Sequence, residues 1–137
     1  MLNALVDFTR AVANLGTCAR RQIGCALFKK DWQLLSTGFN GPLRGVCECP
    51  GKSVPAGAGN ADCYGIHAEI RALLEVKHPN QIAYCISTKA PCKACTLALL
   101  GTTCENIYFL TASNETENRD LWEKAGRKWI HYEANDA

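Results

Sequence analysis

Residues 65–95 read GIHAEIRALLEVKHPNQIAYCISTKAPCKAC, and this stretch decides how the rest of the chain is interpreted. It places His67 and Glu69 two residues apart and, after an apolar run, it places Cys92 and Cys95 three residues apart. Zinc that keeps an open coordination position takes three protein ligands, commonly His and Cys, and leaves the fourth position to water. The spacing therefore predicts a zinc site formed by His67, Cys92 and Cys95.

Glu69 gives this predicted metal site a group that can carry protons. Water activated by zinc needs a neighbouring group that accepts its proton and returns it later in the reaction. The order H-x-E followed by P-C-x-x-C is the signature of zinc-dependent nucleobase deaminases. A lone C-x-x-C is also typical of a redox pair or of half a structural zinc site, but neither of these would need Glu69. We therefore interpret the stretch as a catalytic site with Glu69 as the general acid and base.

Both halves of the motif are expected at helix starts. Pro91 suits the first turn of a helix, and Cys92 and Cys95 would then share one helical face near its N-terminus, which favours thiolates. Residues two apart do not share a helix face, so His67 is expected at the very start of its helix, outside regular helical geometry.

Composition limits the alternatives. A chain of 137 residues with 47% hydrophobic residues predicts a single domain, 1–137, and a net charge of +2 gives no strong electrostatic case for a nucleic-acid partner. The N-terminus lacks the pattern of a secretory signal, and no run is long enough to span a bilayer. Nine cysteines, an odd number, then favour reduced thiols and metal binding in a cytoplasmic protein over a disulfide framework.

Helical and strand patterns alternate along the chain. They predict helices at 1–15, 66–77, 92–100 and 115–125, and strands at 24–29, 34–39, 82–87, 106–110 and 128–132. This order indicates an α/β fold, a three-layer α-β-α sandwich around a central mixed sheet of about five strands. Residues 40–65 are rich in Gly, Pro and Cys and are predicted to form a long loop, which in compact domains is usually functional.

Four segments carry a family resemblance, namely RQIGC at 21–25, STGFNGP at 36–42, IHAE at 66–69 and PCKAC at 91–95. With these segments the sequence resembles the cytidine deaminase superfamily, and most of all the deoxycytidylate (dCMP) deaminases. The resemblance implies hydrolytic deamination at C4 of cytosine, converting dCMP to dUMP and ammonia. It also implies that the Asn40 amide holds the sugar hydroxyl and that the Ala68 backbone N–H holds the pyrimidine O2. The alternative for Asn40 is a plain Asn-Gly turn after a strand.

A nucleotide substrate needs a phosphate site, for which arginine is favoured because its planar fork matches phosphate oxygens. Arg20, Arg21 and Arg44 lie in segments that flank the predicted site, and we expect at least one of them to bind phosphate. Some relatives carry Tyr-Asp after the fourth strand, where this chain has Thr111, Ala112, Ser113 and Asn114. Some also carry an arginine about two turns after the glutamate, where this chain has Lys77 and His78. Other substrates therefore stay open: dCTP, a free or 5-substituted cytosine nucleoside or nucleotide, and a base in tRNA or single-stranded DNA. A zinc-stabilised interaction module without activity is a further alternative.

The other cysteines fall into two groups. Four thiolates form a closed tetrahedral zinc site, and we expect a second, structural zinc bound by Cys18, Cys47, Cys49 and Cys63, the alternative being small buried thiols without metal. The remaining three, Cys25, Cys85 and Cys104, are predicted to pack in or beside strands. The resemblance further implies a homo-oligomer, frequently a hexamer, and dCTP and dTTP as effectors in some members.

Overall fold

The computed structural model describes residues 1–17, 21–42 and 65–133. Twelve elements follow one another in these ranges, one of them a short 3-10 turn at Pro79–Gln81. In chain order the others are α1 Leu2–Ala13, β1 Gly24–Phe28, β2 Leu34–Phe39, β3 Gly41–Pro42, β4 Gly65–Ile66, α2 Ala68–Glu75, β5 Tyr84–Lys89, α3 Lys93–Leu100, β6 Asn106–Thr111, α4 Glu117–Lys124 and β7 Lys128–His131.

The central sheet has five strands in the order β2-β1-β5-β6-β7. Strand β1 pairs antiparallel with both β2 and β5, whereas β5, β6 and β7 run parallel to one another. The sheet is therefore mixed, and the predicted α/β fold with about five strands is confirmed. Because β5 and β6 are parallel, their carboxyl ends meet at one edge of the sheet, and α3 begins just beyond that edge.

Helices cover both faces of the sheet. On one face, Leu27, Cys85 and Ile107 pack in a single buried cluster with residues of α2, α3 and α4, including the fully buried Trp122. On the other face, Phe28 and Ile86 pack against Val6 of α1. Strand β1 lies between these layers and all five of its residues are buried, which is why it reads as a continuous apolar run. No helix of the described ranges combines the length and the apolar character needed to cross a membrane.

The observed elements differ from the predicted ones mainly at their ends. Helix α2 begins at Ala68 instead of residue 66, because Gly65–Ile66 pairs as a two-residue strand with Gly41–Pro42. This small ladder joins the two ends of the predicted 40–65 loop, of which residues 43–64 lie outside the described part of the chain. Strand β5 begins two residues later than predicted and continues to Lys89, which pairs with Thr111.

Candidate active site

The candidate active site lies where the starts of helices α2 and α3 meet. His67 is the residue before α2 and has extended backbone angles, φ −66° and ψ 147°, so its predicted place at the helix start is confirmed. Cys92 holds the same position before α3, with φ −72° and ψ 176°. The helix was predicted to begin at Cys92, but a residue that caps a helix keeps non-helical backbone angles and only its carbonyl joins the first turn. Here that carbonyl accepts the backbone N–H of Thr96 at 2.8 Å.

His67, Cys92 and Cys95 form a compact donor cluster. The Nδ1 atom of His67 lies 3.5 Å from Sγ of Cys92 and 3.5 Å from Sγ of Cys95, and all three donor atoms lie within 4.8 Å of one another. A tetrahedral zinc ion, with bonds of about 2.3 Å to sulfur and about 2.0 Å to nitrogen, separates these ligand atoms by about 3.5 Å. The geometry of the cluster therefore fits zinc.

The two thiols of the cluster differ in acidity. Hydrogen bonds from Cys95 and His67 lower the pKa of Cys92 to about 3. The contact with Cys92, together with burial, raises the pKa of Cys95. A thiolate therefore forms more readily at Cys92 than at Cys95. Binding of a divalent cation also favours the thiolate form of Cys95, because thiolates are the form that binds metal.

Glu69 lies in the first turn of α2 and is almost completely buried, with 4% of its surface exposed. The hydroxyl of Ser87 donates a hydrogen bond of 2.9 Å to its Oε1. Burial raises the pKa of the Glu69 carboxyl, while hydrogen bonds from Cys95 and Ser87 act against this shift. The carboxyl group therefore lies beside the donor cluster in a place that is closed to solvent.

Ser87 is a residue of the candidate site that the sequence prediction missed. It lies on β5 and is fully buried, two residues after the buried Cys85 and on the same face of the strand. A hydroxyl at a buried position of a strand needs a partner, and that requirement was the available signal. Because Ser87 precedes Cys92 by only five residues, the same strand end brings both the donor to Glu69 and the start of α3 to the site.

Helix α2 is held against β2 by close backbone contacts. Gly38 faces the backbone of Ala68 and Ala72, and a Cβ there would lie 2.5 Å from the Ala72 nitrogen. Two residues earlier on β2, the Ser36 hydroxyl donates a hydrogen bond of 2.7 Å to the Ala72 carbonyl. The guanidinium of Arg71 donates a bond of 3.0 Å to the Gly41 carbonyl. These contacts fix the position of His67 and Glu69 relative to the sheet.

The side chain of Asn40 contacts the segment before β1. Its Oδ1 accepts the Ile23 backbone N–H at 2.7 Å, and its Nδ2 donates to the Arg21 carbonyl at 2.7 Å. An amide side chain has two N–H donors and two lone pairs on oxygen, so one of each remains for a ligand. Asn40 therefore holds the 21–23 segment through both its amide oxygen and its amide nitrogen. The alternative interpretation gave this residue only a position in a turn.

The other predicted residues are distributed as follows. Ala68 is buried as the first residue of α2, between His67 and Glu69, and Arg21 is exposed. The cysteines predicted to pack in or beside strands, Cys25, Cys85 and Cys104, are fully buried, and the sulfurs of Cys25 and Cys85 are 3.6 Å apart. Six predicted ligands lie outside the described residues: Arg20 and Arg44 for phosphate, and Cys18, Cys47, Cys49 and Cys63 for the second zinc.

Comparison with known proteins places this site in a family. Residues 2–111 match the family model of the cytidine and deoxycytidylate deaminase zinc-binding region. A deoxycytidylate deaminase of Schizosaccharomyces pombe is 26% identical over 93% of this chain. The chain spans only 42% of the length of that protein.

Solved structures share the fold at low sequence identity. The dCMP deaminase of the cyanophage S-TIM5, in complex with dCMP and dUMP, superposes with a TM-score of 0.76 at 18% identity and 93% coverage of both chains. The RibD protein of Acinetobacter baumannii superposes with a TM-score of 0.64 at 19% identity, over 92% of this chain and 33% of that one. The family model covers most of the chain, including the histidine, the glutamate and both cysteines of the site. The chain belongs to the family of proteins that contain the cytidine and deoxycytidylate deaminase zinc-binding region.

Proposed function

We propose that this protein is a zinc-dependent deaminase that hydrolyses dCMP to dUMP and ammonia, with residues 1–137 as its single deaminase domain. One observation carries the proposal: the buried carboxyl of Glu69, held by Ser87, lies beside the cluster of His67, Cys92 and Cys95. A structural zinc site has no use for a buried carboxyl group held in this way. The similarity to a fungal deoxycytidylate deaminase supports the choice of substrate.

His67, Cys92 and Cys95 are the residues that would hold zinc. When bound, zinc supplies Lewis-acid activation of the water that attacks C4 of the cytosine ring. Glu69 accepts a proton from this water and donates a proton to ring N3, so that oxygen adds to C4 without a free charge on the ring. The C4–N bond then breaks, and Glu69 passes the second water proton to the leaving amine, which departs as ammonia.

The hydrogen bond from Ser87 gives Glu69 a fixed orientation during these transfers. Ser87 donates to Oε1, which leaves Oε2 as the oxygen that exchanges protons with water and substrate. The Ala68 N–H, at the start of α2, is proposed to donate to the pyrimidine O2. The remaining N–H of Asn40 is proposed to bind the sugar hydroxyl, and Arg20, Arg21 and Arg44 are the proposed sources of phosphate contacts.

Ammonia release tests this proposal. The zinc-loaded protein is offered dCMP, dCTP, deoxycytidine, a 5-substituted dCMP and a single-stranded oligonucleotide side by side, and we expect dCMP to be preferred. Glu69→Gln keeps an acceptor for Ser87 but removes the proton carrier, so activity should fall by about 100-fold or more. Glu75→Gln, at the exposed end of the same helix, is the matched control. Full activity in Glu69→Gln would refute the mechanism, whereas preference for another substrate of the panel would replace dCMP by that substrate.

The second zinc and its four thiolate ligands, Cys18, Cys47, Cys49 and Cys63, also remain a proposal. Its support is chemical, since metal binding offsets the entropy lost when a long Gly-rich segment is ordered. Metal analysis should give two zinc ions per chain, falling to one in Cys49→Ser and staying at two in the control Cys104→Ala. One zinc per chain in the unmodified protein would contradict the second site.

Three further properties are proposed. The family resemblance supports a homo-oligomer, such as a hexamer, and regulation by dCTP and dTTP. The reduced thiols that zinc ligation requires support a cytoplasmic location.

A further inference from the structure

Asn118 is a fully buried amide beside the start of α3. It lies in the first turn of α4, and none of its surface is exposed to solvent. Its Nδ2 atom donates a hydrogen bond of 3.3 Å to the Pro91 carbonyl and one of 2.6 Å to Oε2 of Glu115. Pro91 is itself buried and directly precedes Cys92, one of the three residues of the donor cluster. Asn118 therefore joins α4 to the turn that carries a metal-binding side chain.

The orientation of this amide is set by Glu115. A carboxylate only accepts hydrogen bonds, so the Asn118 amide must turn its NH2 group, and not its oxygen, towards Oε2 of Glu115. This orientation leaves the second hydrogen of the same NH2 group for the Pro91 carbonyl. Both hydrogens of the amide are thus used, and the Pro91 carbonyl receives a donor that is held in a fixed direction.

An amide at this position is unfavourable for folding. Oδ1 of Asn118 is buried and has no hydrogen-bond partner among the described residues. A buried acceptor that loses water without gaining a donor destabilises the folded state, whereas an apolar side chain of similar shape avoids that loss. Packing alone would therefore favour leucine at this position. Local rules of this kind are most often broken at functional sites, so the amide indicates a role that an apolar side chain cannot fill.

That role is to hold the peptide bond between Pro91 and Cys92. The direction of the Pro91 carbonyl fixes the plane of this peptide bond and with it the placement of the Cys92 side chain. Thr96 supports the segment from within α3, since its hydroxyl lies 3.4 Å from the Pro91 carbonyl oxygen and donates a bond of 2.8 Å to the Cys92 carbonyl. Asn118 adds a contact from a second helix. Because Sγ of Cys92 lies 3.5 Å from Nδ1 of His67, a rotation of this peptide would change the distance between two donor atoms.

We propose that Asn118 is a positioning residue of the zinc site, which sets the place of Cys92 through the Pro91 carbonyl. Replacing groups that orient metal ligands through hydrogen bonds commonly changes metal affinity or activity by about 10- to 100-fold. The inference rests on the zinc site of the proposed function and does not depend on dCMP being the substrate. It makes α4, a helix that carries none of the predicted ligands, part of the support of the site.

Cobalt(II) bound in place of zinc tests this inference, because its visible absorption bands depend on the arrangement of its ligands. Asn118→Leu keeps the branched shape of the side chain but removes both donors and the unpartnered oxygen. The cobalt bands should shift, and the cobalt dissociation constant, measured by competition with a chelator, should rise about tenfold or more. The urea midpoint of the metal-free variant should not fall. The control Thr9→Val removes another fully buried donor, bonded to the Leu5 carbonyl at 2.8 Å, and should leave the cobalt bands unchanged.

Glu115→Ala tests the same contact from an exposed residue, whose replacement leaves the packing of the core intact. It removes the group that orients the Asn118 amide, so the cobalt bands should shift in the same direction as in Asn118→Leu. The exposed Asp120→Ala, on the same helix, should leave them unchanged.

Unchanged cobalt bands and cobalt affinity in Asn118→Leu would overturn the inference, as would a lower urea midpoint without any change at the metal. If Asn118→Leu does not fold, unchanged bands in Glu115→Ala would overturn it equally. An unmodified protein that binds no cobalt would refute both the zinc site and the role of Asn118. An unmodified protein that binds cobalt but deaminates no cytosine compound would refute only the proposed reaction, and shifted bands in Asn118→Leu would still support the positioning role.

Discussion

Substitution of Gly38 by alanine tests whether the contact between β2 and α2 positions the site. The Cβ of an alanine at this position would meet the Ala68 carbonyl oxygen and lie 2.5 Å from the Ala72 nitrogen and 3.1 Å from its Cα. All three are backbone atoms, so no side-chain rotation relieves the overlap. Helix α2 must therefore move away from the sheet, and it takes His67 and Glu69 with it.

The size of the effect follows from these distances. Ordinary contact begins near 3.4 Å, so the Ala72 nitrogen must move by about 1 Å. Overpacking of a well-packed core costs about 1–3 kcal/mol, and we expect the upper end because both partners are backbone. His67 and Glu69 would shift relative to Cys92 and Cys95, which lie on α3. A misplacement of about 1 Å at a reacting centre lowers the rate by about 100-fold.

Urea unfolding and ammonia release measure these two effects. Gly101→Ala is the control, because among the described residues its Cβ would approach only the Ala98 and Leu97 carbonyls, the nearer at 3.3 Å. Gly101 also has a helical backbone conformation. It should change the free energy of unfolding by less than about 1 kcal/mol. A Gly38→Ala variant as stable as the unmodified protein would refute the packing argument. One that is less stable but fully active would refute the link between α2 and the site.

Two further predictions concern Ser87, which contacts Glu69, and Asn40, which contacts the segment before β1. Ser87→Ala should lower kcat by about tenfold with unchanged zinc content, since Glu69 loses the hydrogen bond that orients it. Unchanged kcat would show that burial alone orients the carboxyl. Asn40→Ala should lower the free energy of unfolding by about 1–3 kcal/mol, because the Ile23 N–H loses its acceptor, while the exposed Asn80→Ala should not. Unchanged stability together with weaker deoxycytidine binding would assign Asn40 to the sugar alone.

The features that the sequence predicted are those set by neighbours in the chain. His67 at a helix start, and a pair of cysteines at the start of the next helix, follow from local spacing and from the rules of helix ends. The burial of all five residues of β1 follows from the continuous apolar run of this strand. Helix and strand ends were less well predicted, as at β5 and α2, because a strand ends where its partner ends and that partner is distant in sequence.

Contacts between distant segments were decided by the tertiary structure. Only the packing of α2 on β2 and β1, with β5 next to β1 in the sheet, brings Ser87 to Glu69. Only the pairing of β2 with β1 brings Asn40 to the 21–23 segment. Arg10, Arg21 and Lys89 line one cleft but come from a helix, a loop and a strand end, and each by itself reads as an ordinary surface charge. The motif thus predicted from sequence alone which residues form the donor cluster, because the spacing within each half of the motif is local. The order of strands in the sheet decided what surrounds that chemistry, because spacing along the chain does not state which elements lie side by side.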